Sequence, residues 1–408
     1  MRLFFRSQFR QIRGIVSLEK PQTCPDLMAR TIYEIGSSLA SPFLFMLAQD
    51  ILAAAVELGF DRAGIAPAET LPELEHFAPW IEQGRAASME YLARKATHEE
   101  AARSAPYLRE DIRHVLPWAR SVVCCALNYD APAPRSMEIP FANAVGRGWV
   151  SRYAWGGGDY HEILREKLER LAERVRELAR DAQPELKTFV DTGPLLERVY
   201  ARHASLGWIG KNTCLIHPRG GSFCFLGALV LSLPLTPDLP LPDRCGTCRR
   251  CIEACPTGAL DTPYQMDASL CLAYLNIENR GPIPEALREF MGRHIFGCDI
   301  CQDVCPWNRK SPRTRMAEFQ PRPELFLPDL ETLAGWSEAQ FRAFFRHSAM
   351  NRVKYAGWLR NIALAMGNSG QSRFIPTLER LAGHDDPMVR EQAAWSLERL
   401  RQAAEIEK

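Results

Sequence analysis

The most cysteine-rich stretch of the chain begins with Cys245-Gly-Thr-Cys248-Arg-Arg-Cys251-Ile-Glu-Ala-Cys255-Pro256. It ends with Cys298-Asp-Ile-Cys301-Gln-Asp-Val-Cys305-Pro306. One further cysteine, Cys271, lies between the two halves. The first half is the C-x2-C-x2-C-x3-C-P pattern of bacterial iron–sulfur proteins, in which the fourth cysteine ligates the other of two clusters. Two-residue spacings allow one tight loop to supply three thiolates to one cluster. The pattern therefore predicts a two-cluster site.

The second half lacks the first cysteine of this pattern, and Cys271 is the available substitute. We therefore predict two [4Fe–4S] clusters with four cysteine ligands each. The first cluster takes Cys245, Cys248, Cys251 and Cys305, and the second takes Cys255, Cys271, Cys298 and Cys301. Structural zinc is the alternative, because C-x2-C pairs also form zinc sites. Eight thiolates with two C-x3-C-P endings favour the iron–sulfur interpretation.

The composition is typical of a globular protein with more than one domain. The 408 residues exceed what a single core usually serves, and 46% hydrophobic and 24% charged residues are ordinary values. The net charge of +1 neither favours nor excludes nucleic acid, so any basic surface must be local. No run is apolar enough to span a bilayer. Nothing marks the chain for export, so we expect a cytoplasmic protein with reduced cysteines.

The first 45 residues differ from the rest of the chain. Arginines recur at helical spacing among aromatic residues, with no acidic residue before Glu19. A targeting or membrane-surface helix would have this pattern. We prefer a disordered extension, or a translation start annotated upstream of Met46, because the segment has no visible partner to fold against.

The remaining chain predicts an α+β multidomain protein with three regions. Residues 46–235 alternate helices with strands, which indicates an α/β or α+β domain. Its predicted strands are 62–66, 121–129, 188–191 and 223–233, and its longest predicted helix is 161–182. A proline-rich linker then leads to a ferredoxin-type two-cluster region at 240–310. Residues 320–408 are predicted to be helical and to include a HEAT-like repeat.

An acidic residue stands at the end of one predicted strand. Asp191-Thr-Gly-Pro194 follows the apolar residues Phe189 and Val190. The ends of strands are where α/β domains carry their chemistry, and limited hydration would raise the pKa of Asp191 and make it a proton donor. A turn-forming or helix-capping aspartate is the alternative.

A basic stretch lies near the C-terminus. Between Glu338 and Glu379 there is no acidic residue, whereas arginines, Lys354 and aromatic side chains recur. Such a stretch on helices suits a phosphate backbone. The alternative is that these residues are the solvated faces of core helices.

Five further motifs accompany the eight cysteines: Arg152-Tyr-Ala, Asp159-Tyr-His161, Asp191-Thr-Gly-Pro194, Gly207-Trp-Ile-Gly-Lys-Asn-Thr213 and Gly297-Cys-Asp-Ile-Cys-Gln. With them, the chain from about residue 46 to its end resembles the epoxyqueuosine reductases. That family is similar in its core to cobalamin-dependent reductive dehalogenases. It reduces the epoxide of epoxyqueuosine in the tRNA anticodon to the alkene of queuosine.

The resemblance implies cobalamin, resting as cob(II)alamin, and two [4Fe–4S] clusters, with Asp191 as proton donor. It implies no protein histidine below the cobalt, so His161 is not expected to be a ligand. The implied cobalamin contacts are Tyr153, Asp191, Lys211, Asn212, Leu215, Ser222, Leu226, Ala273, Cys298, Asp299, Ile300 and Cys301. Candidate tRNA contacts are Arg280, beside the basic stretch, and Arg352, Lys354 and Arg360 within it. The partners would be a tRNA and a low-potential electron donor, and we expect a monomer.

Two other functions fit part of the pattern. A cobalamin and iron–sulfur reductase of a small molecule, such as a halogenated compound, would share the clusters but would not need the basic helical region. A non-catalytic iron–sulfur electron carrier would bind no corrin.

Overall fold

The computed structural model describes residues 42–96 and 106–406. The sequence predicts an extension at residues 1–45. Residues 1–41 of it lie outside the described residues. None of the helices in the described ranges is both long and apolar enough to cross a membrane.

Two of the strands are eight residues long, and the others are shorter. In chain order they are β1 (Arg62–Pro67), β2 (Ser121–Asn128), β3 (Trp149–Val150), β4 (Leu186–Phe189), β5 (Trp208–Ile209), β6 (Leu215–Ile216), β7 (Cys224–Leu231) and β8 (His294–Phe296). The α-helices are α1 (Pro42–Glu57), α2 (Phe77–Glu82), α3 (Tyr160–Leu178), α4 (Glu197–His203), α5 (Arg250–Ala254), α6 (Glu285–Arg288), α7 (Ile300–Asp303), α8 (Leu330–Ala334), α9 (Glu338–Phe344), α10 (Lys354–Asn368), α11 (Ile375–Ala382) and α12 (Pro387–Ile406).

The central sheet has the strand order β1-β2-β7-β4, and every neighbouring pair is antiparallel. All eight residues of β2 are buried, because its alternating side chains enter two different cores. Val123, Cys125 and Leu127 face one core with α1 and α3, and the intervening residues face a second core with α4. The four predicted strands are present as β1, β2, β4 and β7, although β4 ends at Phe189 and not at Asp191. Of the two alternatives left open by the sequence, the antiparallel pairing favours α+β over α/β. The sheet is that of an α+β domain.

Helix α3 covers one face of this sheet. It begins at an N-cap, Asp159, whose carboxylate accepts a hydrogen bond from the backbone N–H of His161. Its buried stripe of leucines and Val175 belongs to the core shared with β2 and β7. The helix ends at Leu178, four residues before the predicted end at Ala182. The chain turns at residues 179–182, and Pro184 prevents a return to helical conformation at the residue before it.

The cluster region and the C-terminal helices pack against this domain. The parallel pair β3–β8 joins Trp149 of the first region to His294 of the cluster region. Both strands contribute to a core that also contains Trp155 and Trp358. Residues from Pro42 onward accordingly form one compact unit. The helices predicted in the C-terminal region are confirmed as α10, α11 and α12, whereas the domain boundaries remain predictions.

Candidate active site

The cysteines predicted as ligands of the first cluster lie near one another. Cys245 and Cys248 are in the loop that enters α5, Cys251 lies in the first turn of α5, and Cys305 follows α7. Burial, and then the nearby Cys245 and Cys248, raise the pKa of the Cys251 thiol. Burial raises the pKa of Cys305 to about 11, and Cys245 and Cys251 are among the neighbours that add to the rise. These four cysteines therefore form one neighbourhood.

The other four cysteines form a second neighbourhood. Burial, and then Cys271 and Cys255, raise the pKa of Cys298 far above its ordinary value. The pKa of Cys301 is raised first by a hydrogen bond with Cys214, then by burial and by charges that include Cys298. In the described parts of the chain, no three His, Cys, Asp or Glu side chains are grouped to hold a single metal ion. Each cysteine of a [4Fe–4S] cluster binds a different iron, so its ligands are spaced more widely than those of one ion.

Asp299, which lies between Cys298 and Cys301, connects the second cysteine loop to a neighbouring segment. Its side chain is 1% exposed. It accepts hydrogen bonds from the Ser151 hydroxyl, the Arg152 backbone N–H and, at 3.2 Å, the Trp149 indole. The Asp299 carboxylate therefore ties the loop between Cys298 and Cys301 to the 149–152 segment. A contact between Asp299 and cobalamin stays a prediction.

Asp191 lies just beyond the end of β4 in an unusual backbone conformation. Its φ is +51°, a left-handed value that is uncommon for residues other than glycine, asparagine and aspartate. The side chain is 63% exposed. One carboxylate oxygen, Oδ2, accepts a 2.9 Å hydrogen bond from the Tyr160 hydroxyl and lies 3.2 Å from Nε2 of His161. The turn thus presents the carboxylate to the first turn of α3.

His161 connects two carboxylates. Its Nδ1 lies 2.7 Å from Oδ1 of Asp159, and its Nε2 faces Asp191. With both ring nitrogens engaged, His161 has none free for a cobalt ion, in line with the sequence interpretation. Asp159, His161 and Asp191 form a continuous hydrogen-bonded chain.

The protonation states in this chain differ from the sequence prediction. Limited hydration alone would raise the pKa of Asp191, but hydrogen bonds from His161 and Tyr160 outweigh it and lower that pKa. Burial would lower the pKa of His161, but hydrogen bonds to Asp159 and Asp191 raise it to about 9. The expectation of a raised pKa at Asp191 is therefore wrong. At neutral pH the proton resides on His161 and the Asp191 carboxylate is ionised.

Glu197, at the start of α4, is a second carboxyl group influenced by Asp191. Burial, followed by the charge of Asp191, raises the pKa of Glu197 to about 8. Its Oε1 is buried and has no hydrogen-bond partner within the described residues. Glu197 is therefore protonated at neutral pH. A ligand with polar groups at its edge would satisfy this buried atom.

Aromatic side chains connect Asp191 with the second cysteine loop. The Tyr153 ring lies 6.1 Å from the Tyr160 ring and 5.9 Å from that of Phe296, which precedes Gly297 and Cys298. Leu226 and Ala273 are partly exposed, although Ala228 in the same strand and Leu272 beside Ala273 are buried. An apolar surface with a few polar groups is typical of a cofactor site. Leu226, Ala273 and the unpartnered Glu197 oxygen therefore fit the corrin that the resemblance implies.

The other predicted cobalamin contacts lie at the two cysteine loops. The Asn212 amide donates to the Cys301 carbonyl at 3.3 Å, and the Ser222 hydroxyl to Gln302 Oε1 at 3.0 Å. Leu215 is buried in β6, and Ile300 is 7% exposed. The Lys211 ammonium group donates to the carbonyls of Gly246 and Cys248 at 2.6 and 3.0 Å, so it supports the first cysteine loop.

Three of the four predicted tRNA contacts form an exposed surface. Arg280 donates to the Val353 carbonyl at 3.3 Å, which places it beside Arg352 and Lys354. Arg352 pairs with Glu278 at 2.7 Å, and its guanidinium lies 5.5 Å from the centre of the Tyr91 ring. Tyr91 also lines a cavity of about 70 Å³ with Thr192, directly after Asp191. The basic surface therefore adjoins the candidate active site.

Arg360 does not belong to this surface. Its side chain is 0% exposed. The guanidinium donates to the carbonyls of Asn279, Gly281 and Leu275 at 3.0, 2.6 and 2.8 Å. The prediction that Arg360 contacts tRNA is therefore wrong, because the group is enclosed and its donors are occupied.

Sequence reasoning missed Tyr160, Glu197 and the partnership of His161 with Asp191. Tyr160 and His161 are separated from Asp191 by 31 and 30 positions. The sequence signal that could have indicated these residues is Asp159-Tyr160-His161 at the start of a helix, where two polar side chains follow an N-cap.

The described geometry defines an oxidoreductase of the iron–sulfur class, with eight cysteines in two groups beside an acid–histidine pair. A profile described as a 4Fe-4S double cluster binding domain matches residues 244–308, and one described as epoxyqueuosine reductase QueG, DUF1730, matches residues 109–192. The epoxyqueuosine reductase of Salmonella typhimurium is 38% identical over 375 residues, covering 92% of both chains. That of Xanthomonas campestris is 39% identical over 364 residues, covering 89% of this chain and 99% of its own. This chain belongs to the epoxyqueuosine reductase family.

Solved structures agree with this membership. A crystal structure of epoxyqueuosine reductase with an epoxyqueuosine-modified tyrosine tRNA stem loop has a TM-score of 0.76 and 30% identity, covering 90% of this chain and 95% of the other. The structure of the Streptococcus thermophilus epoxyqueuosine reductase has a TM-score of 0.75 and 28% identity, covering 87% and 90%.

Proposed function

We propose that this protein reduces the epoxide of epoxyqueuosine in a tRNA anticodon to the alkene of queuosine. The reaction consumes two electrons and two protons for each epoxide and releases water. The observation that carries the proposal is the acid–histidine pair at Asp191, which Tyr153 connects to the second cysteine loop. A reductive opening of an epoxide needs both an electron path and a proton source at the departing oxygen.

Two [4Fe–4S] clusters and cobalamin are the cofactors of this reaction. The first cluster is held by Cys245, Cys248, Cys251 and Cys305, and the second by Cys255, Cys271, Cys298 and Cys301. Tyr153, Leu226, Ala273 and the neighbourhood of Glu197 would hold the corrin. When bound, cobalamin supplies a strongly reducing cobalt centre that can transfer electrons to carbon.

Asp191 delivers the proton to the departing epoxide oxygen. Its lowered pKa means that the proton must first reach it from a neighbour, and the protonated His161, 3.2 Å away, is positioned to supply it. Asp159 holds the imidazole in the orientation that this transfer requires. His161 therefore acts as the proton reserve and Asp191 as the group that contacts the substrate.

Substitution of His161 should change the pH dependence of turnover. The fold raises the pKa of His161 from 6.5 to about 9. The stability that its protonated form contributes is therefore complete below pH 6.5 and is lost as the pH rises through about 9. We expect kcat of the wild type to fall over the same alkaline range. His161→Gln should lower kcat about 10- to 100-fold and remove this alkaline decline.

The measurement for His161 is a kcat profile between pH 6 and 10 with a chemical reductant in excess. His203→Gln is the matched control, because His203 also pairs with a carboxylate, that of Glu73, at 2.8 Å but in another part of the protein. An unchanged alkaline decline in His161→Gln would contradict the proton-reserve role.

The exposed Arg280, Arg352 and Lys354 bind the tRNA phosphate backbone near the anticodon. Tyr91, beside Arg352 and the Thr192 cavity, provides an aromatic face on which an unstacked base can rest. The C-terminal helices support this surface as a HEAT-like module. A tRNA substrate also implies activity in the cytoplasm, by a protein that works as a monomer.

The decisive test of the proposed function is mass spectrometry of tRNA nucleosides from a strain that lacks this gene. We expect epoxyqueuosine to accumulate and queuosine to disappear, and expression of the wild-type chain to restore queuosine. An unchanged queuosine content in the deletion strain, with no second reductase of this kind in the genome, would refute the proposal.

A further inference from the structure

The two cysteine loops differ in their exposure to solvent. In the first loop, Gly246 and Thr247, between Cys245 and Cys248, are exposed. In the second loop, Gly297 is buried, and Asp299 and Ile300 are 1% and 7% exposed. Electron transfer between proteins slows steeply with distance. Electrons from an external donor therefore reach the first loop more readily than the second.

Five cations surround the first loop. Arg244 precedes Cys245, two arginines separate Cys248 from Cys251, and two further cations follow Cys305. We call these residues the first-loop basic surface: Arg244, Arg249, Arg250, Arg309 and Lys310. All five are exposed. The ion pairs within the described residues include none of them, whereas Arg352, Arg342 and Arg399 elsewhere each have a carboxylate partner.

Three acidic residues lie near this surface, and two of them accept hydrogen bonds from neighbouring groups. The Asp243 carboxylate accepts hydrogen bonds from the Cys245 backbone N–H and the Tyr264 hydroxyl. Asp303 Oδ2 accepts hydrogen bonds from the Ser136 backbone N–H and hydroxyl. Glu253 is exposed in α5. The five unpaired cations outnumber these three carboxylates, so the charge outside the first loop is net positive.

A concave notch lies within this surface. It has a volume of about 450 Å³ and is lined by Arg250, Glu253 and Ala254 of α5, by Asp303 of α7, and by Val304 and Arg309 that follow. Cys251 lies within α5, and Cys305 lies next to Val304. The notch is thus lined by the residues next to two proposed ligands of the first cluster, Arg250 beside Cys251 and Val304 beside Cys305.

We propose that the first-loop basic surface is the docking site of an acidic, low-potential, one-electron carrier protein. This inference rests on the proposed function, which requires two electrons per epoxide from outside the chain. Each [4Fe–4S] cluster accepts one electron at a time. Two reduced carriers therefore dock in turn, each is oxidised by one electron, and the pair of electrons with two protons converts the epoxide into the alkene and water.

Charge also gives the carrier its specificity. Opposite charges on two partners accelerate their encounter, and a transient complex suits a carrier that must leave after each electron. RNA would also be attracted to cations. A protein is the better match, because the surface surrounds the exposed cluster loop and is separate in sequence from the Arg280, Arg352 and Lys354 surface.

The test reverses two charges outside the cysteine motif. Arg309→Glu combined with Lys310→Glu leaves every cysteine spacing intact. The probe carrier is a plant-type [2Fe–2S] ferredoxin, an acidic one-electron carrier of low potential. Arg170→Glu with Arg174→Glu, two exposed positions on α3, is the control with the same change in net charge. Iron content and absorbance are matched before any rate is compared.

We expect the KM for reduced ferredoxin to rise at least about tenfold in the Arg309/Lys310 variant and to stay unchanged in the control. The steep loss of ferredoxin-dependent rate with added salt should be present in the wild type and weaker in the variant. Turnover driven by dithionite with methyl viologen and the Kd for a tRNA stem loop should not change.

Two results would overturn the docking proposal: an unchanged KM for ferredoxin, with or without a weakened tRNA Kd, or an equal loss of the dithionite-driven rate. The bleaching of cluster absorbance by ferredoxin is followed separately by stopped flow. It reports docking even if no epoxyqueuosine is reduced. Failure of the proposed function, seen as no turnover with dithionite, is thereby distinguished from failure of docking.

Discussion

Asp191→Asn is expected to lower kcat for epoxyqueuosine reduction by about 10²- to 10⁴-fold, the usual contribution of a positioned general acid. Asparagine has the same shape as aspartate and tolerates the left-handed backbone, here with φ of +51°, so the turn after β4 should be retained. An amide can still accept a hydrogen bond from Tyr160, but it cannot pass a proton from His161 to the substrate. The loss should therefore appear in kcat.

The measurement is kcat for steady-state conversion of a modified stem loop with dithionite in excess, on protein whose iron content and cobalamin spectrum equal those of the wild type. Glu197→Gln is the matched variant. Glu197 is protonated at neutral pH and close enough to Asp191 for their charges to interact, so it is the other carboxyl group that could give a proton. A wild-type rate in Asp191→Asn, together with a large loss in Glu197→Gln, would assign the acid role to Glu197.

The two-cluster domain could be predicted from sequence because its chemistry is local, whereas the assignment of each cysteine to a cluster stays a prediction. Two-residue spacings in one loop determine which thiolates can reach one cluster, and only Cys271 had to be assigned by elimination. The strands were also predictable, since the unbroken apolar run of β2 reflects burial on both faces. The pairing of the strands was not, because an antiparallel and a parallel arrangement can share the same alternation of elements.

The position of Asp191 near the end of a strand was predicted, but the direction of its pKa shift was not. Asp191 follows apolar residues, which suggested a raised pKa, but the hydrogen bonds that decide the direction come from residues 30 positions away. Contacts across such a distance depend on how α3 crosses the sheet.

The burial of Arg360 also depends on residues that are distant in sequence. An arginine in an acid-free stretch suggests a phosphate contact. Its enclosure, however, results from packing between α10 and the segment after Cys271.

Arg360→Met is expected to lower the free energy of unfolding by about 1–3 kcal/mol, the cost of leaving buried carbonyl acceptors without their hydrogen-bond donor. Burial lowers the pKa of Arg360 to about 10, so the guanidinium remains charged at neutral pH. Methionine fills most of the space but donates no hydrogen bond. The carbonyls of Leu275, Asn279 and Gly281 would then be left without this donor.

The position of these carbonyls extends the effect to the second cluster. Leu275 lies in a π-helical turn, Tyr274–Glu278, that begins three residues after the ligand Cys271. The adjacent Asn361 amide also donates to the carbonyls of Asn276 and Ile295 at 2.8 and 2.9 Å. Helix α10 thus holds the backbone that follows Cys271 and the backbone that precedes Cys298. We expect Arg360→Met to lose iron from the second cluster faster than the wild type when it is warmed.

Lys354→Met is the control for Arg360→Met, because it removes an exposed cation from the same helix. It should change the free energy of unfolding by less than about 0.5 kcal/mol and should raise the KM for the tRNA stem loop. The comparison uses anaerobic urea unfolding followed by tryptophan fluorescence, with stem-loop binding measured on the folded proteins. If Arg360→Met is stable but binds the stem loop more weakly, Arg360 contributes to tRNA binding after all. Loss of stability with an unchanged Kd would establish it as the clamp between α10 and the second cysteine loop.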